Sequence, residues 1–85
     1  MNDTFQQIAI ELKRQKRTER FPDHVCAQAN RVMCSAGSVC ENANIIKYSN
    51  DQEAHLNIPY LKNSLIATAA ACIRMIEELE KETKK

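Results

Sequence analysis

The sequence predicts an all-α fold: a short N-terminal helix and an antiparallel pair of long helices, assembling as a homodimer with a four-helix core. Three observations carry this expectation. Gly occurs once and Pro twice in 85 residues, so turns are few and the elements between them must be long. Apolar residues recur at alternating steps of three and four, the period of a helix. The long segments carry two adjacent apolar stripes each, more than a single chain of this length can cover. A chain this short makes one domain, spanning 1–85.

The first helix is expected over about residues 4–18. Asp3 or Thr4 can cap it, and Thr4 with Gln7 has capping-box spacing. Phe5, Ile8 and Leu12 form a narrow apolar stripe, so this helix should lie on the surface of something larger. It turns basic toward its end, where Lys13, Arg14, Lys16, Arg17 and Arg20 crowd together. Cations at a helix C-terminus complement its dipole, which explains the run without a ligand. A phosphate-binding patch is the sharper alternative. The stretch lacks the interleaved aromatics of a single-strand nucleic-acid binder.

Phe21-Pro22-Asp23-His24 breaks the helix: Pro22 disfavours the helical region for Phe21, and Asp23 can cap the next helix. That second helix is expected over about residues 24–48. Val25, Ala29, Val32, Ala36, Val39, Ala43 and Ile46 make a heptad-like seam, with Cys26, Met33 and Cys40 as a second stripe beside it. Gly37 costs about 1 kcal/mol inside a helix, which points to close backbone packing there. Ser49 to Asn57 is polar and reads as a loop, and Pro59 suits the first turn of a third helix over about residues 59–81. Leu61, Leu65, Thr68 or Ala69, Cys72, Ile76 and Leu79 form one face of that helix, and Ile58, Ile66 and Ile73 a second. The charged tail ending in Lys84 and Lys85 should fray.

Composition excludes several functions. The net charge of +1 makes the chain neither a polyanion binder nor an acidic decoy, so nucleic acid is not an expected partner. No stretch has the length of a membrane span or the apolar run of a signal peptide, which predicts a cytoplasmic protein without membrane contact. Cys26, Cys34, Cys40 and Cys72 form no Cys-x-x-Cys pair, so neither zinc nor a disulfide framework is expected, and they read as small core residues. Neither His24 nor His55 is placed to activate a thiol; they read as a cap-region and a loop histidine.

Read in order, the chain runs from a basic helix through Arg20-Phe21-Pro22-Asp23-His24 to a helix with Ala36-Gly37-Ser38-Val39. A polar loop and Tyr60-Leu61-Lys62-Asn63-Ser64-Leu65-Ile66-Ala67-Thr68-Ala69-Ala70 come next, and Ile73-Arg74-Met75-Ile76-Glu77 closes the pattern. This resembles the small phage and bacterial members of the MazG-like all-α nucleoside-triphosphate pyrophosphohydrolases, from about Leu12 to Glu80. The resemblance implies a Glu-x-x-Glu pair on one long helix and a Glu-x-x-Asp pair on the next, holding Mg²⁺ against substrate phosphates. Matched through Gly37, the first pair falls on Ser35 and Ser38 and the second on Ser64 and Ala67, so all these carboxylates are replaced. Glu41 remains one turn after Ser38, too little to rebuild the site.

The resemblance therefore implies a degenerate, non-catalytic member of the fold, with no metal, no cofactor and no catalytic residue. The primary expectation is a phage-type accessory protein, in the host cytoplasm, that sequesters a nucleotide or nucleotide-derived signal. Its candidate ligand-binding residues are Ser35, Ser38, Glu41, Ser64 and Thr68, with Lys13, Arg14, Arg17 and Arg20 supplying charge. The alternative is an interaction module or protein inhibitor whose pocket has filled in, Ser35, Ser38 and Ser64 bonding to backbone in a tight helix interface. A residual metal-dependent pyrophosphohydrolase would need Asp23, Glu41, Asp51 and Glu53 in another register.

Overall fold

In the computed structural model, which describes residues 2–83, the chain forms three helices: α1 (Asn2–Thr18), α2 (Val25–Lys47) and α3 (Asp51–Thr83). No strand occurs among the described residues. The 33-residue α3 is the spine. At about 1.5 Å per residue it is about 50 Å long, matching the molecule's 52 Å long axis. α1 and α2 each pack along α3 and not on one another.

Pair contacts give the directions. Asn42 meets Ser64, while Val25 and Gln28 share a pocket with Glu78 and Leu79, so α2 and α3 are antiparallel. Gln7 and Ile10 lie against Pro59 and Lys62, and Gln15 reaches Ala67, so α1 runs parallel to α3. Arg74, near the C-terminal end of α3, reaches the Glu19 carbonyl in the α1–α2 connector.

Local chemistry explains the boundaries. Lys16 and Arg17 complete the last turn of α1, as expected of cations at a dipole's negative end. Asp3 and Thr4 lie inside its first turn rather than capping it. His24, not Asp23, is the N-cap of α2, its Nδ1 accepting from the Cys26 N–H at 3.3 Å.

The expected loop over Ser49–Asn57 is mostly helix. α3 starts at Asp51, so His55 is a helical residue and Pro59 sits inside the helix, not in its first turn. Asn50 accepts from the Glu53 N–H at 2.9 Å, and Asp51 and Glu53 place negative charge on the helix's positive end. Asn57 donates to the Glu53 carbonyl at 2.7 Å, an intrahelical bond that reads as loop chemistry only when seen without its partner. The expected fray at Lys84 and Lys85 lies outside the described residues.

Among the described residues only Ala70 and Ala71 form a buried apolar core, and no large side chain is fully buried. Gln15, Gln28 and Arg74 are buried polar residues. Met33, at 70% exposure, Leu65, at 50%, and Ile76, at 54%, face outward. So do Cys26, Cys34 and Cys40, with Cys72 half-buried, which corrects their reading as core residues. The second stripe of α2, Cys26, Met33 and Cys40, is therefore uncovered in the single chain. Gly37 answers to no close packing: a Cβ there would meet nothing within 4 Å.

Candidate functional site

α1, α2 and α3 converge on one polar cavity of about 110 Å³. Ser35 of α2 and Ala67 and Ala71 of α3 line it with small groups. Around them stand Glu11, Arg14 and Gln15 of α1, Glu19 of the connector, Arg31 of α2 and Arg74 of α3. The small residues create the space: a hydroxyl and two methyls leave room where longer side chains would meet.

The charges around it are arranged in layers. Arg14 grips Glu11 with two nitrogens, Nη2 at 2.7 Å and Nε at 2.8 Å. Gln15 donates to the same carboxylate at 2.9 Å and to the Ala67 carbonyl at 3.2 Å, which accounts for a buried amide at a helix crossing. The Arg14 hydrogen bond holds the Glu11 carboxyl below the usual glutamate range, against the opposing effect of burial. The same bond raises the already high value of Arg14.

Glu19 is shared less tightly, at 3.6 Å from Arg14 and 3.9 Å from Arg31. Arg31 otherwise makes one long contact, 3.5 Å to the Arg20 carbonyl. Arg74 is 7% exposed yet has no carboxylate within ion-pair distance among the described residues. Its Nη2 donates to the Glu19 carbonyl at 2.7 Å, and its guanidinium lies 4.6 Å from the Phe21 ring centroid.

Glu11 supplies a prediction on acid stability. Its folded value is depressed, so its contribution is present above the ordinary glutamate value and lost as pH falls through the lower folded value. Glu11→Gln should lower the thermal midpoint near neutrality, where that contribution is present, and should flatten its fall from about pH 5 downward. An acid limb identical to that of the unmodified chain would refute this role.

Of the sequence-predicted residues, Arg14 and Ser35 come together here. Lys13, Arg17, Ser38 and Glu41 are exposed and outside the cavity. Arg20 is exposed and pairs with Asp23 at 3.3 Å. Ser64 and Thr68 sit on the α2–α3 seam, where their hydroxyls are used internally. Ser64 accepts from Asn42 at 2.6 Å and donates to the Tyr60 carbonyl at 2.7 Å, and Thr68 donates to the Ser64 carbonyl at 2.8 Å. Ser38 stays exposed one turn before Asn42 and makes no bond to Ser64. The expected single constellation is thus split.

Sequence reasoning misses Arg31, Arg74, Glu19 and Gln15. The step Ala67, Ala70 or Ala71, Arg74 runs along one small helix face, and that face could have pointed to Arg74. No group of at least three His, Cys, Asp or Glu side chains among the described residues could share a metal ion. Among the described residues no helix is long and apolar enough to cross a membrane. Comparison with known proteins gives no family model, no characterised protein and no solved structure that matches the chain.

Proposed function

We propose that this chain is a non-catalytic interaction module whose working form is a homodimer, two α2–α3 hairpins packing face to face into a four-helix core. Surplus surface carries this reading. The chain exposes 6567 Å², where a compact monomer of its 9.7 kDa mass would expose about 5,100 Å². The surplus of about 1,400 Å² exceeds the roughly 800 Å² each partner contributes to a standard interface. Its radius of gyration, 14.8 Å, likewise exceeds the roughly 12 Å of a compact domain of this length.

The uncovered surface is coherent. At about 100° per residue, Ile58, Leu65, Ile76 and Leu79 fall on the side of α3 turned away from the residues that meet α1. Cys26, Met33 and Cys40 of α2 fall away from Ser35 and Arg31. Both stripes so occupy the hairpin face opposite α1, and a second copy of the same face covers them by two-fold symmetry. The interior closes around Asn42 and Ser64 instead of opening between Ser38 and Ser64, which supports the filled-in reading.

Sedimentation or light scattering tests this directly. The expected mass is twice 9.7 kDa, Leu65→Lys should yield monomer, and the thermal midpoint should rise with protomer concentration. A chain that stays monomeric at about 100 µM sinks the proposal.

A second reading, the sequestration of a nucleotide or nucleotide-derived signal by a phage-type accessory protein on a MazG-like frame, is favoured by one observation. Ser35 and Ala67, where the resemblance puts carboxylates, line a cavity ringed by arginines. At about 110 Å³ that cavity is below the roughly 300 Å³ at which whole-ligand pockets begin. It admits one part of such a ligand. Neither reading includes catalysis, and pyrophosphate release from nucleoside triphosphates with Mg²⁺ or Mn²⁺ would overturn that part of both.

A further inference from the structure

We propose that the cavity between Ser35, Arg31 and Arg74 is a metal-free site for a single oxyanion, phosphate being the class it fits best. All the groups belong to one protomer, so the site stands whether or not two copies associate. It gives the nucleotide reading a defined anchor without requiring that a nucleoside be recognised.

Among the described residues no buried side-chain nitrogen or oxygen is left without a hydrogen-bond partner, yet two arginines at the cavity have no close carboxylate. Arg74 is a buried guanidinium whose partners are a carbonyl and an aromatic face, neither of which carries a negative charge. Arg31 reaches its nearest carboxylate only at 3.9 Å. Ser35 makes no bond to the carbonyl one turn earlier, unlike Ser64 and Thr68. Arg14 is the exception, its carboxylate partner Glu11 already held at 2.7 Å.

Charge and size agree with an anion. Arginines 14, 31 and 74 face Glu11 and Glu19, which leaves the cavity lining one positive charge in excess. A cavity of about 110 Å³ has the space of a few waters at about 30 Å³ each, enough for a tetrahedral oxyanion. Guanidinium groups match phosphate oxygens in geometry and form the strong, charge-assisted class of hydrogen bond. Ser35 and Ala67 matter by what they lack: a carboxylate at either position would occupy the space and satisfy the arginines itself.

A carboxylate at position 35 is therefore the decisive variant. Ser35→Glu should abolish anion binding without lowering thermal stability, because the new carboxylate takes the anion's place beside Arg31 and Arg74. Inorganic phosphate is the first probe, titrated against chloride at matched ionic strength and read by calorimetry and thermal midpoint. The unmodified chain should bind it saturably, with Kd on the order of 1 mM, which is reasonable for so small a ligand. Arg31→Gln should weaken it about tenfold, and Glu19→Gln, which removes a competing carboxylate, should tighten it.

Adenosine, adenosine monophosphate and acetate separate the sources. Monophosphate tighter than phosphate assigns the anion to a nucleotide, and equal affinities assign it to free phosphate or another phosphate ester; both uphold an oxyanion site. Adenosine binding as tightly as its monophosphate overturns it, as does a lack of saturable phosphate binding or a Ser35→Glu variant that binds unchanged. Light scattering on the same samples keeps the two proposals apart: a monomer that binds phosphate refutes self-association and leaves this site standing.

Discussion

Arg74→Ala should destabilise the fold by about 2–4 kcal/mol, measured by urea denaturation at fixed protomer concentration. A hydrogen bond from a charged donor is worth about 1.5–3 kcal/mol, and Arg74 donates one to the Glu19 carbonyl at 2.7 Å. A desolvated cation over a ring adds about 1–2 kcal/mol, here with Phe21 at 4.6 Å. Against these stands the cost of keeping a 7% exposed charge without a carboxylate. Arg74→Met separates the parts: it keeps the apolar stem and relieves that cost, so its loss should be nearer to about 1 kcal/mol. A loss below about 0.5 kcal/mol for Arg74→Ala, the range of a surface change, would refute a structural role for the guanidinium.

Ala70→Leu should cost about 1–3 kcal/mol and lower the thermal midpoint accordingly. Ala70 is fully buried, and with Ala71 it forms the buried apolar core of the described residues. A leucine adds a branched side chain where the methyl already fills the space, so the helices must separate or the side chain must leave its preferred rotamer. The same substitution in a loosely packed bundle would stabilise by added burial, so the sign of the change tests how closely the helices approach. Hydrogen exchange should locate the damage along α3 rather than in its exposed first turns.

Much of the fold is legible because helical spacing is a local property. Apolar periodicity places the second helix within about one residue of Val25–Lys47 at each end, the usual uncertainty of helix ends. It misplaces the start of the third, because the polarity of Ser49–Asn57 imitates a loop. Polarity there signals exposure: a helix projecting from its neighbours needs no apolar face, and Asn50 and Asn57 serve backbone groups of the helix itself. The small residues of α2 suggest close packing, yet Gly37 faces open space. Smallness permits approach and does not compel it.

The candidate site is half legible. Ser35 emerges through the family resemblance and Arg14 through a basic run. Arg31 and Glu19 carry no periodic signature, and Arg74 carries only its place on a small helix face, because what makes a charged side chain buried is a partner distant in sequence. Arg74 and Glu19 are separated by 55 positions, and no local pattern encodes that contact.

The arrangement of α1 parallel to α3, with α2 between them in sequence, also bears on the order in which the chain assembles. α2 and α3 are joined through Tyr48–Asn50, so their first contacts close over a very short loop at little entropic cost. Contacts of α1 such as Gln15 with Ala67 lie 52 residues apart and close a much longer loop. Once the hairpin exists, most of that intervening chain is already ordered and the remaining closure is the short connector after Thr18. Connectivity thus favours a hairpin that forms early, with α1 docking last and the Arg74–Glu19 contact forming as it arrives.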